Sequence, residues 1–298
     1  MRDGCWPPRP ARATFARTRP LERFHLSDTV TLTLRAPPER LVEAECIVPD
    51  RFATLGAREI PELPVWEGRR QLRLGDLFDV QGERSATVRV VGDASMIDAM
   101  GAGMTAGELV IDGNAGRYVG SRMAGGTLRV TGNAGYGAGL EMAGGVLMID
   151  GNAGDRAGAA RLGASKGMLG GEIVVRGTVG AEAGARMRRG TLVCGRAGPR
   201  AGEAMIAGNV IVLGSAGEGA GCWNKRGSIV VLGEVPIPLT YGYDCTYRPP
   251  HVALALRSLR VRYQLPIGEA HLTGRYARYS GDLAELGKGE ILQWMSAA

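Results

Sequence analysis

A repeat of about 19 residues runs through the middle of the chain and restricts it to a small set of folds. Each repeat holds a short apolar run that ends in a Gly, and these marker glycines are Gly92, Gly113, Gly132, Gly151, Gly177, Gly195, Gly214 and Gly233. Most repeats add a second Gly three residues later and a third Gly seven residues later. Positions that recur at a short fixed period stack on one another in space, which is typical of solenoid folds.

The side chains that precede each marker alternate in character. Aliphatic residues stand four and two positions before most markers, as in Leu109/Ile111, and Leu192/Cys194 take these places in the one repeat that is a residue shorter. This period of two predicts a short strand with the pair facing inward. A Met row and a row of small residues recur in the same way, and we interpret both as stacked core rows. The Met row is Met104, Met123, Met142, Met168, Met187 and Met205.

Three glycines per repeat are incompatible with a helix, because Gly is costly in a helix interior and favours tight turns. We therefore predict an all-β fold, a right-handed parallel β-helix (β-solenoid) of about eight coils with a Gly near each corner. The ends of such a stack need covers, which non-repetitive segments can supply. The predicted division is an N-terminal arm and cap at 1–80, the repeats at 81–236 and a C-terminal cap or extension at 237–298.

Composition narrows the classes of partner and site. The net charge is +6, and only Lys166, Lys225 and Lys288 among the 36 basic residues are Lys. Arg favours planar contacts with anions, so we expect an acidic partner or ligand, and no nucleic acid because aromatic side chains do not interleave with the Arg. The five scattered Cys and three His predict reduced thiols, a cytoplasmic location and no metal site. No apolar run is long enough to predict a membrane span.

Two sequence patterns resemble catalytic motifs without their context. The Gly-rich strings lack the helix that follows a phosphate loop. The segment 163–167 matches a nucleophile elbow around Ser165, but that motif needs a strand-to-helix turn and a His partner. We interpret this segment as a surface loop in the one long insertion, a place where solenoids often bind partners. Ser165 and Lys166 are thus interface candidates, and no catalytic, cofactor-binding or metal-binding residue is predicted.

One row of side chains that the alternation predicts to face away from the core is unexpectedly apolar. It stands three residues before the markers and includes Val110, Met148, Val174 and Ile211. An apolar strip of this kind is rarely left in water, so either a partner subunit or the chain's own flanks cover it, with 237–298 as the cover for the last coils. Near it in sequence stand three basic residues, Arg186, Arg188 and Arg189, which either pair with a partner's carboxylates or form a solvated face.

The repeat Gly-x-aliphatic-x-Val/Ile-x-Gly-x-Ala-Gly resembles the β-helical domain at the C-terminus of the glutamate synthase large subunit. Three further stretches, 67–79, 184–191 and 279–293, narrow this resemblance. Together with the coils they are similar to the C-subunit family of formylmethanofuran dehydrogenase and of related formyltransferase/hydrolase complexes. The resemblance runs from about residue 60 to the end of the chain.

The resemblance implies a non-catalytic scaffold subunit. Such a complex moves a formyl group from formyl-tetrahydromethanopterin to a methanofuran-type carrier and releases formate. The expected partners are a formyltransferase subunit and a metal-dependent hydrolase subunit, which hold the metal and the carrier, and contact between the Arg group and a polyglutamate carrier tail is left open. The Arg bias and the high Ala content favour this complex over the dehydrogenase.

Three alternatives stay open at this point. The first is the C subunit of a molybdenum or tungsten formylmethanofuran dehydrogenase. The second is a stand-alone β-helix protein like that of glutamate synthase. The third is a left-handed hexapeptide-repeat acyltransferase, which the period of about 19 residues and the scarcity of His count against.

Overall fold

The computed structural model describes residues 29–296, so residues 1–28 of the predicted N-terminal arm and cap, with Cys5 and His25, lie outside the described residues. Most of the regular elements in the described chain are strands, and the helices are few. Before the repeats come β1 (Thr29–Leu34), β2 (Val42–Glu43), α1 (Pro49–Phe52), a 3₁₀ helix (Ile60–Glu62), β3 (Pro64–Glu67), β4 (Arg70–Arg73), α2 (Leu74–Leu77) and β5 (Phe78–Gln81).

The repeats contribute one principal strand each, and the C-terminal segment adds strands and the longest helix. The repeat strands are β6 (Thr87–Val91), β7 (Ile97–Asp98), β8 (Glu108–Asp112), β9 (Thr127–Val130), β10 (Val146–Ile149), β11 (Glu172–Val179), β12 (Thr191–Ala197), β13 (Asn209–Val212) and β14 (Ser228–Val231). The C-terminal elements are β15 (Gly242–Tyr247), α3 (Pro250–Tyr263), α4 (Glu269–Thr273), β16 (Arg275–Gly281) and β17 (Gly289–Met295).

A 13-stranded sheet joins all three parts of the described chain. Its order is β15-β16-β17-β14-β13-β12-β11-β10-β9-β8-β6-β1-β5. All pairs from β17 to β1 are parallel, and the antiparallel pairs are β1 with β5 at one end and β17 with β16 and β16 with β15 at the other. Equivalent positions of successive repeats pair directly, as Leu109 does with Leu128 and Leu128 with Leu147.

Two further sets of backbone contacts link the repeats away from this sheet. The small residues after the markers form parallel bridges from Ala94 to Ala115 and from there to Ala134 and Ala153. The third glycines add another set, in which Gly120 N–H donates to the Met100 carbonyl at 2.9 Å. Each repeat is therefore hydrogen-bonded to its neighbours at three places along its length.

The predicted inward side chains form the core. The strand pairs, the Met row and the row of small residues are all buried, which confirms the predicted register. In the short sixth repeat, Leu192 and Cys194 have no exposed surface, so they fill the inward places as predicted.

Glycine is required where repeats approach most closely. A Cβ added to the marker Gly132 would lie 2.7 Å from the Gly113 backbone oxygen, one repeat away. At Gly139 the backbone has a φ of +63°, and an added Cβ would lie 2.5 Å from the Ile173 Cδ1 atom. A side chain at Gly132 would force the repeats apart, since native Cβ atoms do not approach backbone atoms this closely, and one at Gly139 would strain a backbone conformation that favours Gly.

Candidate partner interface

The outward face of the large sheet is covered in part by the chain itself. The helix α3 lies over β11–β14 and buries Val252, Leu256 and Leu259 against it. Val174 and Ile211 are each 2% exposed in this contact. The prediction that a partner covers these two positions is therefore wrong, and the alternative, a cover supplied by residues 237–298, is confirmed for them. The physical reason is that an amphipathic helix of the same chain buries the strip at no cost of association.

Ion pairs fix the C-terminal end of α3 to the sheet. Glu172 accepts from both terminal nitrogens of Arg262, at 2.7 and 2.6 Å, and from the Tyr263 hydroxyl. Arg176 donates to the Tyr263 carbonyl at 2.8 Å. Burial alone would raise the pKa of Glu172, but the hydrogen bonds from Arg262 and Tyr263 outweigh it and leave the pKa below its ordinary value.

The other two residues of the predicted strip are half-buried. Met148 packs against the margin of the cluster under α3. Val110 lines a shallow groove of about 300 Å³ together with Thr31, Arg89 and Glu108. This part of the face is mixed in character, because charged and hydroxyl side chains alternate with the apolar ones. Whether a partner covers Val110 and Met148 stays a prediction.

The basic residues and the insertion loop come together at one edge of the stack. Gly167 N–H donates to the Arg186 carbonyl at 2.8 Å, and an Arg186 guanidinium nitrogen lies 3.4 Å from the Ala164 carbonyl. The predicted interface residues at this edge are all exposed, and they are Ser165, Lys166, Arg186, Arg188 and Arg189. Their role at an interface stays a prediction.

The structure adds three cations to this edge that the sequence analysis missed. Strand pairing puts Thr191, Asn209, Ser228 and Glu290 in one row. The residues two positions before these four form a second row by the same register, and they are Arg189, Ala207, Arg226 and Lys288. Arg188 and Lys225 occupy the adjacent column, since their N–H groups donate to equivalent Met carbonyls, Met168 and Met205. We call Arg188, Arg189, Lys225, Arg226 and Lys288 the basic ridge.

A column-by-column alignment of the repeats would have found Lys225 and Arg226 beside Arg188 and Arg189. Lys288 could not be found in this way. It precedes β17, which joins the stack only after an excursion of more than 50 residues from β14, and nothing in 281–289 repeats the marker pattern.

A cavity of about 350 Å³ lies beside the insertion loop. Its lining includes Glu43, Glu45, Tyr118 and Tyr136, with Arg161 and Leu162 from the loop, and the two tyrosine rings meet edge to face at 5.7 Å. Asp98 at its base is 1% exposed and is already paired with Arg117 through contacts of 2.6 to 2.8 Å. The cavity therefore offers shape, two further carboxylates and the hydroxyl of Ser121, and among residues 29–296 that hydroxyl makes no hydrogen bond to a carboxylate.

The remaining candidates for chemistry are dispersed. His251 and His271 lie on α3 and α4, where His271 packs on the Trp294 ring with centroids 4.6 Å apart. Burial raises the pKa of Cys46 to about 11 and that of Cys194 to about 12, so both thiols stay protonated at neutral pH. Within residues 29–296, no group of three or more His, Cys, Asp or Glu side chains could hold a metal ion.

No helix among residues 29–296 is long and apolar enough to cross a membrane. The described chain thus presents three surface features: a basic ridge, an insertion loop beside a cavity, and an outward sheet face that α3 covers in part.

Comparison with known proteins places the chain in a family, although no family model matches it. It is 38% identical to the C subunit of the molybdenum-containing formylmethanofuran dehydrogenase 1 of Methanosarcina barkeri, over 26% of this chain and 27% of that relative. It is 35% identical to the C subunit of the tungsten-containing formylmethanofuran dehydrogenase 2 of Methanothermobacter thermautotrophicus, over 30% of this chain and 35% of the relative. These matches thus span about a third of the dehydrogenase subunits or less.

The similarity to a bacterial relative extends over nearly the whole chain. The Fhc C subunit of the formyltransferase/hydrolase complex of Methylorubrum extorquens is 50% identical over 262 residues, which are 88% of this chain and 98% of the relative. A chain in the X-ray crystal structure of the complex FhcABCD from Methylorubrum extorquens with methylofuran superposes with a TM-score of 0.82 and 34% identity, covering 89% of this chain and 100% of that chain. The resemblance seen in the repeats and flanking motifs is confirmed, and the chain belongs to the Fhc C-subunit family.

Proposed function

We propose that this chain is the C subunit of a formyltransferase/hydrolase complex and serves there as a scaffold. The observation that carries this is its 50% identity to the Fhc C subunit over 98% of that relative. The complex would move a formyl group from formyl-tetrahydromethanopterin to a methanofuran-type carrier and release formate. Its partners in this role are the formyltransferase subunit and the metal-dependent hydrolase subunit.

We infer that the repeats wind as a right-handed parallel β-helix capped by the non-repetitive flanks, with 1–80, 81–236 and 237–298 as the three parts. In-register parallel strands, the bridges between small residues and the hydrogen bonds of the third glycines support this, because one turn of such a helix contacts the next on each of its sides. A rigid rod of this kind suits a subunit that holds others at fixed positions.

We propose further that the chain has no catalytic site and no cofactor of its own. Ser165 lies on an exposed loop, Asp98 is occupied by Arg117, and the buried thiols are protonated. General acid–base or nucleophilic catalysis needs such groups within hydrogen-bond reach of each other. The metal and the carrier would therefore sit on the partner subunits.

The decisive experiment is affinity purification of the tagged full-length chain from its own cells, with mass spectrometry of what co-purifies. The proposal expects a formyltransferase subunit and a hydrolase subunit in fixed ratio. Molybdenum or tungsten in the purified complex would instead identify the dehydrogenase alternative, which the short matches to those subunits disfavour. Recovery of the chain alone would contradict both.

A further inference from the structure

Large apolar side chains stand in solvent at the C-terminal end of the stack. Trp223 is 51% exposed, Leu239 104%, Leu283 69% and Leu286 53%, and we call these four the cap patch. Single exposed apolar residues are ordinary, but a contiguous group of this size on a folded protein usually marks a binding surface.

Hydrogen bonds bring together the three segments that carry the cap patch. The Trp223 N–H donates to an Asp282 carboxylate oxygen at 2.7 Å, which joins the Trp223 loop to the 282–287 turn. The Leu283 N–H donates to the Thr240 carbonyl at 3.0 Å, which joins the same turn to the segment that carries Leu239. Three separate segments thus meet at one place, and each contributes apolar side chains to it.

Buried polar groups hold these segments rigid. Asp282 is 2% exposed and also accepts from the Ala284 N–H at 2.8 Å. Asn224 is fully buried, and its side chain both accepts from the Gly227 N–H at 2.7 Å and donates to the Gly227 carbonyl at 2.8 Å. A preorganised surface loses little conformational entropy on association, so this arrangement favours tight docking of the side chains it presents.

The cap patch adjoins the basic ridge. Lys225 and Arg226 follow Trp223 almost directly, and Lys288 comes two residues after Leu286. Lys225 lies 3.9 Å from Glu285, whereas Arg226 and Lys288 have no hydrogen bond or ion pair with the rest of residues 29–296. The border of the patch is therefore basic and largely unpaired.

The basic border indicates which kind of molecule can dock on the cap patch. A second copy of the chain would bring an equally basic border against the first. The segment 1–28 is also basic, with six Arg and three acidic residues. Like charges opposed across an interface cost free energy, whereas a different subunit with carboxylates around an apolar depression would match both features.

We propose that the cap patch and the basic ridge form one docking surface for another subunit of the complex, which presents an apolar depression bordered by Asp and Glu. Trp223 and the three leucines supply the central apolar anchors, and the ridge supplies orientation and on-rate. This inference rests on the proposed function and names the surface through which the scaffold holds a partner.

The test compares variants of the full-length chain in binding to the purified remaining subunits of the complex. The triple variant Leu239→Ser, Leu283→Ser and Leu286→Ser should raise Kd at least about tenfold, because the anchors are lost. A second variant, Arg226→Glu with Lys288→Glu, should slow association at low salt and remove much of its salt dependence. All five side chains are exposed, so the melting temperature should stay near that of the wild type.

Matched controls lie on the outer face of α3. Leu254 and Val261 are 67% and 72% exposed, so Leu254→Ser with Val261→Ser removes similar area elsewhere, and Arg257→Glu reverses a remote exposed charge. These variants should bind like the wild type.

Each result of this test bears on a different part of the proposal. Wild-type binding by the triple variant would overturn the docking proposal and leave the proposed function standing. Failure of the wild-type chain to bind the other subunits would overturn the proposed function itself. Dimers of the wild-type chain that the triple variant abolishes would assign the patch to a second copy and overturn the docking of a different subunit there. Normal assembly with reduced formyl flux in the charge-reversed variant would assign the ridge to an acidic carrier and overturn its docking role.

Discussion

Neighbouring residues at the end of β10 have opposite environments in this protein. Ile149 has no exposed surface, while the next residue, Asp150, accepts from Arg129 at 2.8 Å and from Arg176 at 3.1 Å on the outer face. The alternation follows from the pleat of a strand, which sends successive side chains to opposite sides. The two positions therefore report directly on the register of the core.

Ile149→Asp should lower the free energy of unfolding by more than about 4 kcal/mol, because an unpaired charge would be buried between repeats. Asp150→Ser should cost only about 1 kcal/mol, since both Arg partners are about half exposed and such pairs contribute little. Urea denaturation followed by circular dichroism would measure both. Equal losses at the two positions would show that the register is shifted by one residue.

Among the elements, α3 buries apolar side chains that the repeat strands leave on their outer face. Its buried residues Val252, Leu256, Leu259 and Tyr263 recur at the three- and four-residue spacings of a helix face. That face covers Val174 and Ile211, the strip that the repeat itself leaves outward. The helix is thus a structural part of the stack, and its opposite face remains free.

Two leucines of α3 make a matched pair for this contact. Leu256→Ala should lower the free energy of unfolding by about 2–5 kcal/mol, because a fully buried side chain is replaced by a cavity. Leu254→Ala should change it by no more than about 0.5 kcal/mol, since Leu254 is 67% exposed. Thermal or urea unfolding of the two variants would decide, and a large loss at Leu254 would mean that α3 is rotated from the position described.

The Glu172 clamp makes the docking of α3 sensitive to acid. Because the pKa of Glu172 is below its ordinary 4.5 in the folded protein, the ionised clamp stabilises the fold above about pH 4.5. That contribution is lost as the pH falls through the lowered pKa. Glu172→Gln should therefore be less stable than the wild type at neutral pH, on the order of 1 kcal/mol, with a difference that disappears in acid. Urea midpoints at pH 7 and pH 3 measure this, and a constant difference would contradict it.

Across the whole molecule, no group of three or more His, Cys, Asp or Glu side chains among residues 29–296 could hold a metal ion, and we propose a scaffold role for the chain. The purified chain alone should therefore show no formyl transfer and no hydrolysis, and should bind no stoichiometric metal. Assays of the isolated chain beside the assembled complex would check this. Turnover by the isolated chain that is lost in Ser165→Ala would contradict the scaffold role, whereas full activity of the assembled complex with that variant agrees with it.

Much of this architecture was predictable because the repeat is local. The spacing of the marker glycines set the strands, and the alternation before each marker identified Leu109, Ile149 and their equivalents as core. The flanking motifs indicated the family. The interface was harder to predict. In the sequence, Val174 and Ile211 look like outward apolar residues that only a partner could cover, and only the position of α3 shows that the chain covers them.

Local patterns in the sequence predict the repeating unit, its inward residues and the family, because each of these depends on spacings within about 20 residues or on short motifs. Which surfaces remain free depends on how distant segments pack. The tertiary structure returned β17 beside β14 after a long excursion, which brought Lys288 into line with Arg226 and the leucines of 283–286 next to Trp223. Contacts between segments so far apart depend on packing and chain path, which no local pattern encodes.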